Sequence, residues 1–518
     1  MMQITNKNSQ VWFFTIIGFV IIGAFLLMVW ITPLGSGVSP DSTAYFNAAE
    51  VIMPVNGFPS SDRLITNFPP LYPFVLGLVN LLFKNMVETA RFLNAALFAL
   101  NIGLVTWLVY TATGRNVAAA VCAILFFISS SALIEVHAWA WSEPLFIALL
   151  LLCLLLLIKS ITQPSTVLFI ASAIFMGLAL LTRYAGIGFF PAAVMVLFLF
   201  YMGGVWRRVR YLLIWSVIAI APLGLWLIRN MLEVGKATNR DLVYHPVSIA
   251  HVNTLFTMLM NFLAPVDLSL ERKLWIFGLL ILILVILLMI PSNQHIKAIN
   301  SRSLSFIMAT ACFSFILSYT IFIFISISFF DASTPIDTRI FSPLLVILIP
   351  GGGSLVWTLS EARKKPLAWW FFLLVCVSLV IIRTPGTLQT AQMIEMNGLG
   401  YTEKQWVNSE TIRYTQSFLK DRKIYTNGPD VLSFMTENQI LYLPRKYSSL
   451  STEVNPTYLQ EMSAMCADIK ENKAVLVYLD KITWRIYFPT RIEIESACEI
   501  RPVRQFMDGS VYQAKQVP

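Results

Sequence analysis

Continuous runs of Leu, Ile, Val and Phe alternate with short polar segments between residues 11 and 383. Many runs reach or approach the roughly 20 residues that a helix needs to cross about 30 Å of hydrocarbon. They predict helices, because a membrane β-barrel would require short strands of alternating polarity. The pattern predicts about eleven spans, near residues 11–33, 92–112, 117–133, 143–160, 166–182, 186–203, 211–228, 274–290, 304–329, 340–358 and 367–383.

Two segments outside these spans are long enough to matter. The first outer loop, residues 35–91, contains the 13-residue run "LYPFVLGLVNLLF", which is too short to cross and predicts an interfacial or re-entrant helix. The tail, residues 384–518, changes to the composition of a soluble domain. In it, "KIYTNG", "AVLVYLD" and "RIEIES" predict strands, whereas "SETIRYTQSFLKDR" and "PTYLQEMSAMCADIKEN" predict amphipathic helices.

Composition supports this division. Of the 518 residues, 57% are hydrophobic and 13% are charged, whereas soluble domains are roughly 25% charged. The mean hydropathy is +0.71. We therefore predict a polytopic α-helical membrane protein with a membrane domain over residues 1–383 and a small extracytoplasmic α/β domain over residues 384–518.

The distribution of cations orients the predicted bundle. Basic residues cluster in alternate short loops, which the positive-inside rule places in the cytoplasm together with the N-terminus. These residues are Arg115, Lys159, Arg207, Arg208, Arg210, Lys297, Arg302, Arg363, Lys364 and Lys365. An odd number of spans then places the tail outside. Contact of these loops with anionic lipid explains much of the net charge of +9 without any nucleic-acid partner.

Several chemistries have no support in the sequence. The four histidines form no HExxH motif and there is no CxxC pair, so a zinc site is not expected. No Walker loop or GxGxxG motif follows a strand, so no nucleotide cofactor is expected. Of the six cysteines, Cys466 and Cys498 lie in the outer domain, where a disulfide is chemically permitted. Their spacing alone leaves that pairing open.

Polar residues gather instead at the outer ends of the predicted spans. Charged groups at membrane depth are expensive and indicate a functional site, and carboxylates beside guanidiniums suit an anionic, membrane-held ligand. In chain order these residues are Asp41, Tyr45, Lys84, Arg91, Glu135, His137, Glu143, Arg183, Tyr184, Arg229, Asp331, Asp337 and Arg339.

The segments around these residues carry a resemblance. In order, they are "DSTAYFNAAEVI", "FPPLYPFVLGLV", "WSEPLF", "LTRYAGIGFFP", "PLGLWLIRN" and "DTRIFSPLLVILIP". This series resembles the GT-C superfamily of membrane glycosyltransferases, and within it the bacterial relatives of protein O-mannosyltransferases and of lipid A aminoarabinose transferase. The resemblance covers residues 10–360. Many mannosyltransferases of the family have two adjacent acidic residues in the first outer loop, whereas Ser42 follows Asp41 here.

The resemblance implies a donor in which a sugar is linked to a polyprenyl phosphate, and an acidic base that only Asp41 can provide. General-base attack by an acceptor hydroxyl would invert the anomeric centre. The leaving lipid phosphate needs cations, for which we expect Arg339, Arg183, Arg91 and Lys84, in that order. Substrate contacts are expected from Tyr45, His137, Glu143 and Asp337 as well. No metal or other cofactor is indicated, the acceptor is unspecified, and the plasma membrane is the expected location.

Each residue also has a structural interpretation. The role of Asp41 could be limited to capping a helix that begins at Ser39 and Pro40. The role of Glu143 could be limited to starting a helix before Pro144. Arg339 could simply pair with Asp337. Arg183 and Arg229 could extend to the headgroups, and His137 could join an interfacial aromatic belt with Trp139 and Trp141.

Two other functional classes use similar features. A transporter or flippase of lipid-linked sugars also needs polar groups among its helices, but it usually has inverted repeats and ionisable residues near the midplane. A receptor or scaffold would leave the polar outer face without a purpose. The concentration of polar residues on one face favours a glycosyltransferase.

Overall fold

In a computed structural model, the chain is described over residues 7–54, 66, 68–238, 242–290, 299–331, 333–448 and 453–513, with side chains from Thr15 onward. Lys297 and part of the first outer loop (residues 55–65 and 67) lie outside these ranges. The helices of the first part are α1 (Lys7–Ile31), α2 (Pro40–Ile52), α3 (Leu71–Phe83), α4 (Met86–Ala112), α5 (Val117–Ile128), α6 (Ser131–Ala138), α7 (Glu143–Thr162), α8 (Thr166–Thr182), a 3-10 helix (Tyr184–Gly188), α9 (Phe190–Phe200), α10 (Val205–Val234), α11 (Ile249–Leu263), α12 (Leu270–Met289), α13 (Leu304–Phe329), α14 (Thr338–Ala362) and α15 (Pro366–Asn397).

The chain is a polytopic helical membrane protein. Within the described residues, seven helices are long and apolar enough to cross a membrane: α4, α7, α10, α12, α13, α14 and α15. The pair α5 and α6 would be an eighth span, bent by 61° at its break. The other predicted spans coincide with shorter apolar helices in α1, α8 and α9. All eleven predicted runs are thus helical, although fewer helices have spanning length.

Burial separates the helices into two groups. Most residues of α4, α7 and α14 are buried, so these helices form the centre of the bundle. Helices α10 and α12 expose most of their apolar residues, as helices at the lipid-facing perimeter do. The predicted boundary between residues 383 and 384 falls inside α15, which continues to Asn397.

The C-terminal part is the small α/β domain. It contains α16 (Lys404–Val407), α17 (Glu410–Phe418), β1 (Lys423–Thr426), α18 (Pro429–Met435), β2 (Gln439–Tyr442), α19 (Tyr458–Lys470), β3 (Val475–Leu479), α20 (Arg491–Cys498), β4 (Arg504–Phe506) and β5 (Gly509–Tyr512). The sheet order is β2-β1-β3-β5-β4. Strand β1 is parallel to β2 and β3, with Ile424 opposite Ile440 and Val475, whereas β5 is antiparallel to β3 and β4.

Two expectations for this domain have clear outcomes. "RIEIES" is helical, so the strand prediction was wrong: Thr490 and Glu493 form a capping box that starts α20. Cys466 and Cys498, whose pairing the sequence left open, form a disulfide between α19 and α20.

Candidate active site

Helix α2 brings Asp41 to the site. Ser39 is the N-cap, its Oγ accepts from the backbone N–H of Ser42, and the Ser42 side chain accepts from Ser39 in return. Pro40 occupies the first turn, where its missing N–H is no loss. Asp41 follows in that turn, with a side chain that is 36% exposed. The predicted cap at Ser39 and Pro40 is present, and Asp41 remains accessible.

The segment before α2 is fixed by two distant parts of the chain. The Gly37 N–H donates to Ala138 O (2.9 Å), and the Ala140 N–H donates to Gly37 O (2.8 Å). On the other side, the Tyr401 N–H donates to Val38 O (2.8 Å). Gly37 therefore forms an isolated parallel bridge with Trp139 on one side, and Val38 forms another with Gly400 on the other side. This pairing sets the position of Asp41 three residues later.

Arg339 bridges two carboxylates. Its Nη2 donates to Asp41 Oδ2 (2.6 Å) and its Nε donates to Glu143 Oε1 (2.7 Å). The guanidinium also lies over the Trp141 ring, 4.1 Å from the centroid, a cation–π contact that supports its orientation. Asp337 is the N-cap of α14 and accepts from the Ile340 N–H. Asp337 thus begins the helix that carries Arg339. Arg339 itself pairs with Asp41 and Glu143 rather than with Asp337.

Glu143 is the buried centre of the arrangement. Its side chain is 1% exposed, and Arg183 Nη1 forms a second ion pair with Oε1 at 2.7 Å. The same arginine nitrogen donates to Ser142 Oγ (2.9 Å). Glu143 Oε2 is buried and has no hydrogen-bond partner among the described residues. One carboxylate oxygen therefore holds two guanidiniums in place. We call Asp41, Glu143, Arg183 and Arg339 the charged cluster.

Tyr45 adjoins the charged cluster from the second turn of α2. Its hydroxyl shares a hydrogen bond with Ser142 Oγ (3.1 Å), and its ring packs against Phe68 and Tyr72. Burial, with the charge of Asp41 adding to it, raises the pKa of Tyr45 to about 12. The phenol therefore stays protonated at neutral pH and acts only as a neutral hydrogen-bonding group.

The charged cluster is formally neutral, with two carboxylates and two guanidiniums. Arginines that are 15% and 20% exposed are tolerated there because each has a carboxylate partner. Asp41 is the most exposed member, and its Oδ1 has no hydrogen bond to a described residue. The arrangement thus offers an accessible carboxylate oxygen beside two cations whose positions are fixed by a buried acid.

An apolar cavity of about 470 Å³ adjoins the C-terminal end of α2. It extends between α2, α3, α8 and α10 and is lined by Val51, Ile52, Pro70, Leu71, Phe74, Leu181, Trp226 and Arg229. The Arg229 guanidinium lies 5.0 Å from the Trp226 ring centroid. The helix that presents Asp41 at its start therefore forms part of this cavity at its end.

The remaining candidates lie in other environments. Arg91 pairs with Glu88 of its own helix and donates to Val29 O (2.7 Å), which ties it to α1. Lys84 ends α3 in a left-handed conformation and is exposed. Neither contacts the charged cluster within the described residues.

His137 is enclosed rather than interfacial. It is 1% exposed, its Nδ1 lies 2.7 Å from Leu133 O, and its Nε2 lies 3.1 Å from Asn101 Nδ2. These contacts fit the neutral imidazole, with Nδ1–H donating and Nε2 accepting. Phe98 and Phe127 pack edge-on against the ring. The predicted belt position of His137 is therefore wrong, because this is a packed interior.

Two contributors were not expected from the sequence. Trp141 supports the Arg339 guanidinium and donates from Nε1 to Ser39 Oγ (2.9 Å). Ser142 joins Tyr45 to Arg183. Both lie in the "AWSEP" segment, and their position directly before Glu143 was the available signal. No group of three or more His, Cys, Asp or Glu side chains that could hold a metal occurs in the described part of the chain.

Solved structures of other proteins align with almost the whole chain. ArnT from Cupriavidus metallidurans bound to undecaprenyl phosphate aligns over 95% of this chain and 97% of its own, at 14% identity and a TM-score of 0.57. The apo form of the same protein aligns over 98% of this chain and 98% of its own, at 14% identity and a TM-score of 0.59. The chain has the same fold as ArnT.

A more distant GT-C structure agrees. The archaeal oligosaccharyltransferase AglB from Archaeoglobus fulgidus, in complex with an inhibitory peptide and a dolichol-phosphate, aligns over 92% of this chain and 70% of its own. The identity is 12% and the TM-score 0.51. No protein-family model and no curated protein sequence matches the chain. Fold, rather than close sequence similarity, connects it to these enzymes.

Proposed function

We propose that this protein is a membrane glycosyltransferase that moves a sugar from a polyprenyl-phosphate donor to an acceptor hydroxyl, with Asp41 as the general base. The observation that carries the proposal is the charged cluster. An accessible carboxylate lies 2.6 Å from a guanidinium that is itself held by the buried Glu143. This arrangement places a proton acceptor beside cations suited to a phosphate.

The fold comparisons support the chemical class of the donor. The ArnT structure contains undecaprenyl phosphate and the AglB structure contains a dolichol-phosphate. Both ligands join an apolar isoprenoid chain to a phosphate. In this chain, the cavity beside α2 offers apolar surface, and Arg183 and Arg339 offer positive charge. We assign the phosphate to these two arginines and the start of the isoprenoid chain to the cavity.

The proposed step is a single displacement. The acceptor oxygen attacks the anomeric carbon as Asp41 Oδ1 takes the hydroxyl proton, and the bond between that carbon and the phosphate oxygen breaks. The leaving phosphate keeps the bonding electrons, and Arg183 and Arg339 stabilise its negative charge. One displacement inverts the anomeric centre. General-base assistance of this kind is typically worth about 10²–10⁴ in rate.

Because Arg339 pairs with Asp41, the donor phosphate has a second role, which is to separate the two side chains. Without the donor, the Arg339 guanidinium occupies Asp41 Oδ2. A donor phosphate that takes hydrogen bonds from Arg339 draws this cation away from Asp41 Oδ2. Both carboxylate oxygens of Asp41 are then free to face the acceptor. Glu143 keeps the Arg339 Nε in place during this exchange, since it accepts from a different nitrogen.

The proposal extends to the setting of the enzyme. We infer a hexosyl or pentosyl donor and a plasma-membrane location with the N-terminus in the cytoplasm. The site and the C-terminal domain then face outward, where a glycan, lipid or protein acceptor would approach.

The test is transfer of radiolabelled sugar from a panel of polyprenyl-phosphate sugars by the purified full chain in lipid. Asp41→Asn keeps the size of the side chain but removes the base, so transfer is expected to fall by about 10²-fold or more. Asp267→Asn is the matched control, because Asp267 is exposed and outside the charged cluster. Equal transfer by the Asp41→Asn and native proteins would refute the role of Asp41. Movement of an intact lipid-linked sugar across the bilayer, without donor consumption, would favour a flippase.

A further inference from the structure

Helix α18 of the C-terminal domain packs against α2, the helix that carries Asp41 in its first turn. The centroids of the Phe434 and Phe46 rings lie 6.4 Å apart, and Phe46 is buried. Phe46 directly follows Tyr45, whose ring packs against Tyr72 of α3. Consecutive residues of a helix point about 100° apart, since about 3.6 residues make a turn. The two aromatic contacts therefore hold α2 on two different sides.

The contact with α18 belongs to an apolar core that runs from one domain into the other. Val431 of α18, Ile424 of β1 and Val477 of β3 lie in the same cluster of contacting buried side chains as Phe46. Leu476 of β3 points to the opposite face of the sheet and belongs to a separate cluster. Domains with small, polar interfaces move relative to one another, whereas a large hydrophobic interface fixes their orientation. One face of the sheet is thus packed onto the membrane domain through α18.

Asp430 ties α18 to the segment that precedes α2. It lies in the first turn of α18 and forms a largely buried ion pair with Arg485. Its Oδ2 also accepts a hydrogen bond from the Tyr401 hydroxyl (3.4 Å). The Tyr401 N–H in turn donates to Val38 O (2.8 Å). The C-terminal domain therefore contacts the chain three residues before Asp41, through Tyr401, and five residues after it, through the ring contact with α18.

The orientation of Asp41 depends on both contacts. Helix α2 has 13 residues, near the length of about 12–15 residues below which isolated helices are marginal in water. Its position is therefore set by its neighbours. Rotation of α2 about its axis would move Asp41 Oδ2 away from Arg339 Nη2, which lies 2.6 Å from it. Misplacement of a reacting group by about 1 Å can lower a rate by about 10²-fold.

We propose that Phe434 is a positioning residue for Asp41, so that the C-terminal domain forms part of the active site through α18. The proposal rests on the proposed function, because it concerns the orientation of the general base. Loss of the Phe434 ring lets α2 shift, while the groups of the charged cluster remain chemically intact. The donor phosphate is assigned to Arg183 and Arg339, which lie on other elements. The chemical step is therefore impaired more than donor binding.

The experiment compares the full-length Phe434→Ala and native proteins in lipid, with the radiolabelled polyprenyl-phosphate sugar that the native protein consumes. We expect kcat to fall about 10-fold and KM for the donor to change by less than about twofold. Phe434→Leu restores an apolar contact and should recover most of the rate. Phe418→Ala, at a phenylalanine of α17 that is 72% exposed, is the matched control and should transfer as the native protein does. An unchanged kcat in Phe434→Ala, or a rise in KM alone, would overturn the proposal.

A second comparison combines Phe434→Ala with Asp41→Asn. A base that has already been removed cannot be misplaced, so the double variant should transfer at the rate of Asp41→Asn. A general structural defect would instead lower the residual rate further. A second fall of about 10-fold in the double variant would therefore show that Phe434 does not act through Asp41, and would overturn the positioning role.

Hydrogen exchange provides a readout that needs no transfer. The amides of α2 should exchange faster in Phe434→Ala, while those of β3 keep their native protection. Native exchange in α2 would overturn the proposal. If β3 also loses protection, Phe46→Ala decides the matter, because it removes the same contact without altering the C-terminal domain; native kcat in that variant would likewise overturn the proposal. Equal transfer by the Asp41→Asn and native proteins would refute the proposed function alone, since faster exchange in α2 would still show that α18 holds this helix.

Discussion

Replacement of Glu143 by Gln tests the centre of the charged cluster without any assumption about the substrate. The two side chains have nearly the same shape, so the change removes the negative charge and little else. In the native protein Oε1 accepts from Arg339 Nε and forms an ion pair with Arg183 Nη1, each at 2.7 Å, and the carboxylate is 1% exposed. Arg339 keeps Asp41 as a partner after the change. Arg183 loses its carboxylate partner among the described residues and becomes the uncompensated cation.

The magnitude follows from these contacts. Hydrogen bonds to charged groups contribute about 1.5–3 kcal/mol each, and neutral ones about 0.5–1.5 kcal/mol. The bond from Arg339 changes from the first kind to the second and loses about 1–1.5 kcal/mol. Leaving Arg183 buried without an anion adds to this, and breaking a buried pair costs about 3–5 kcal/mol. We expect Glu143→Gln to lower the free energy of unfolding by about 3 kcal/mol.

The assay is denaturant unfolding of the purified chain in detergent, followed by tryptophan fluorescence. Glu88→Gln is the matched control, because Glu88 pairs with Arg91 while 35% exposed, and we expect it to lose under about 1 kcal/mol. Adding Arg183→Gln to Glu143→Gln should recover part of the stability, since it removes the uncompensated cation. Equal losses for Glu143→Gln and Glu88→Gln, or a further loss in the double variant, would refute the reasoning.

Three further predictions address other parts of the chain. Arg339→Lys keeps the charge but cannot donate from two separated nitrogens, so the transfer rate should fall by about 10–100-fold in the radiolabel assay; a change under threefold would contradict the bridging role. Gly400→Ala should destabilise the protein in thermal melts, because a Cβ there would overlap Val38 O and the backbone φ is +57°. The control is Gly386→Ala, which lies in open space within α15 and should be neutral or stabilising. Cys498→Ser should destabilise the C-terminal domain by about 2–4 kcal/mol. Thermal melts of the variant and the native protein check this, and equal unfolding temperatures would mean that the disulfide does not contribute to stability.

The fold was predictable where periodicity and length are decisive. Each apolar run became a helix, and the β-branched and aromatic residues of "AVLVYLD" mark β3. The misassigned "RIEIES" alternates between polar and apolar residues, but Thr490 followed by Glu493 is a start signal for a helix, and the cap outweighs a six-residue pattern. Arg383 looked like the polar end of a span, whereas α15 continues for 14 residues beyond it to Asn397.

The site was predictable in its residue types and only partly in its partners. Asp41, Glu143, Arg183 and Arg339 were all identified as charges at helix ends, and the structure brings them together. Which charges meet depends on how each helix is rotated about its axis, and packing across the whole bundle sets that rotation. The sequence therefore placed Arg91 directly after Arg183 among the expected phosphate ligands, although Arg91 donates to Val29 O of α1 instead.

The pairing of residues 37–38 with residues 138–140 and 399–401 has a consequence for biosynthesis. Chains are made and inserted from the N-terminus. While the later helices are still on the ribosome, residues 37–38 can therefore pair with residues 138–140 but not yet with residues 399–401. Tyr401, which belongs to the second partner segment, emerges after α15 has been made. The nascent protein thus carries Asp41 for most of translation without one of the two sets of backbone contacts that position it, and α15 must be made before the segment that leads into α2 is held on both sides.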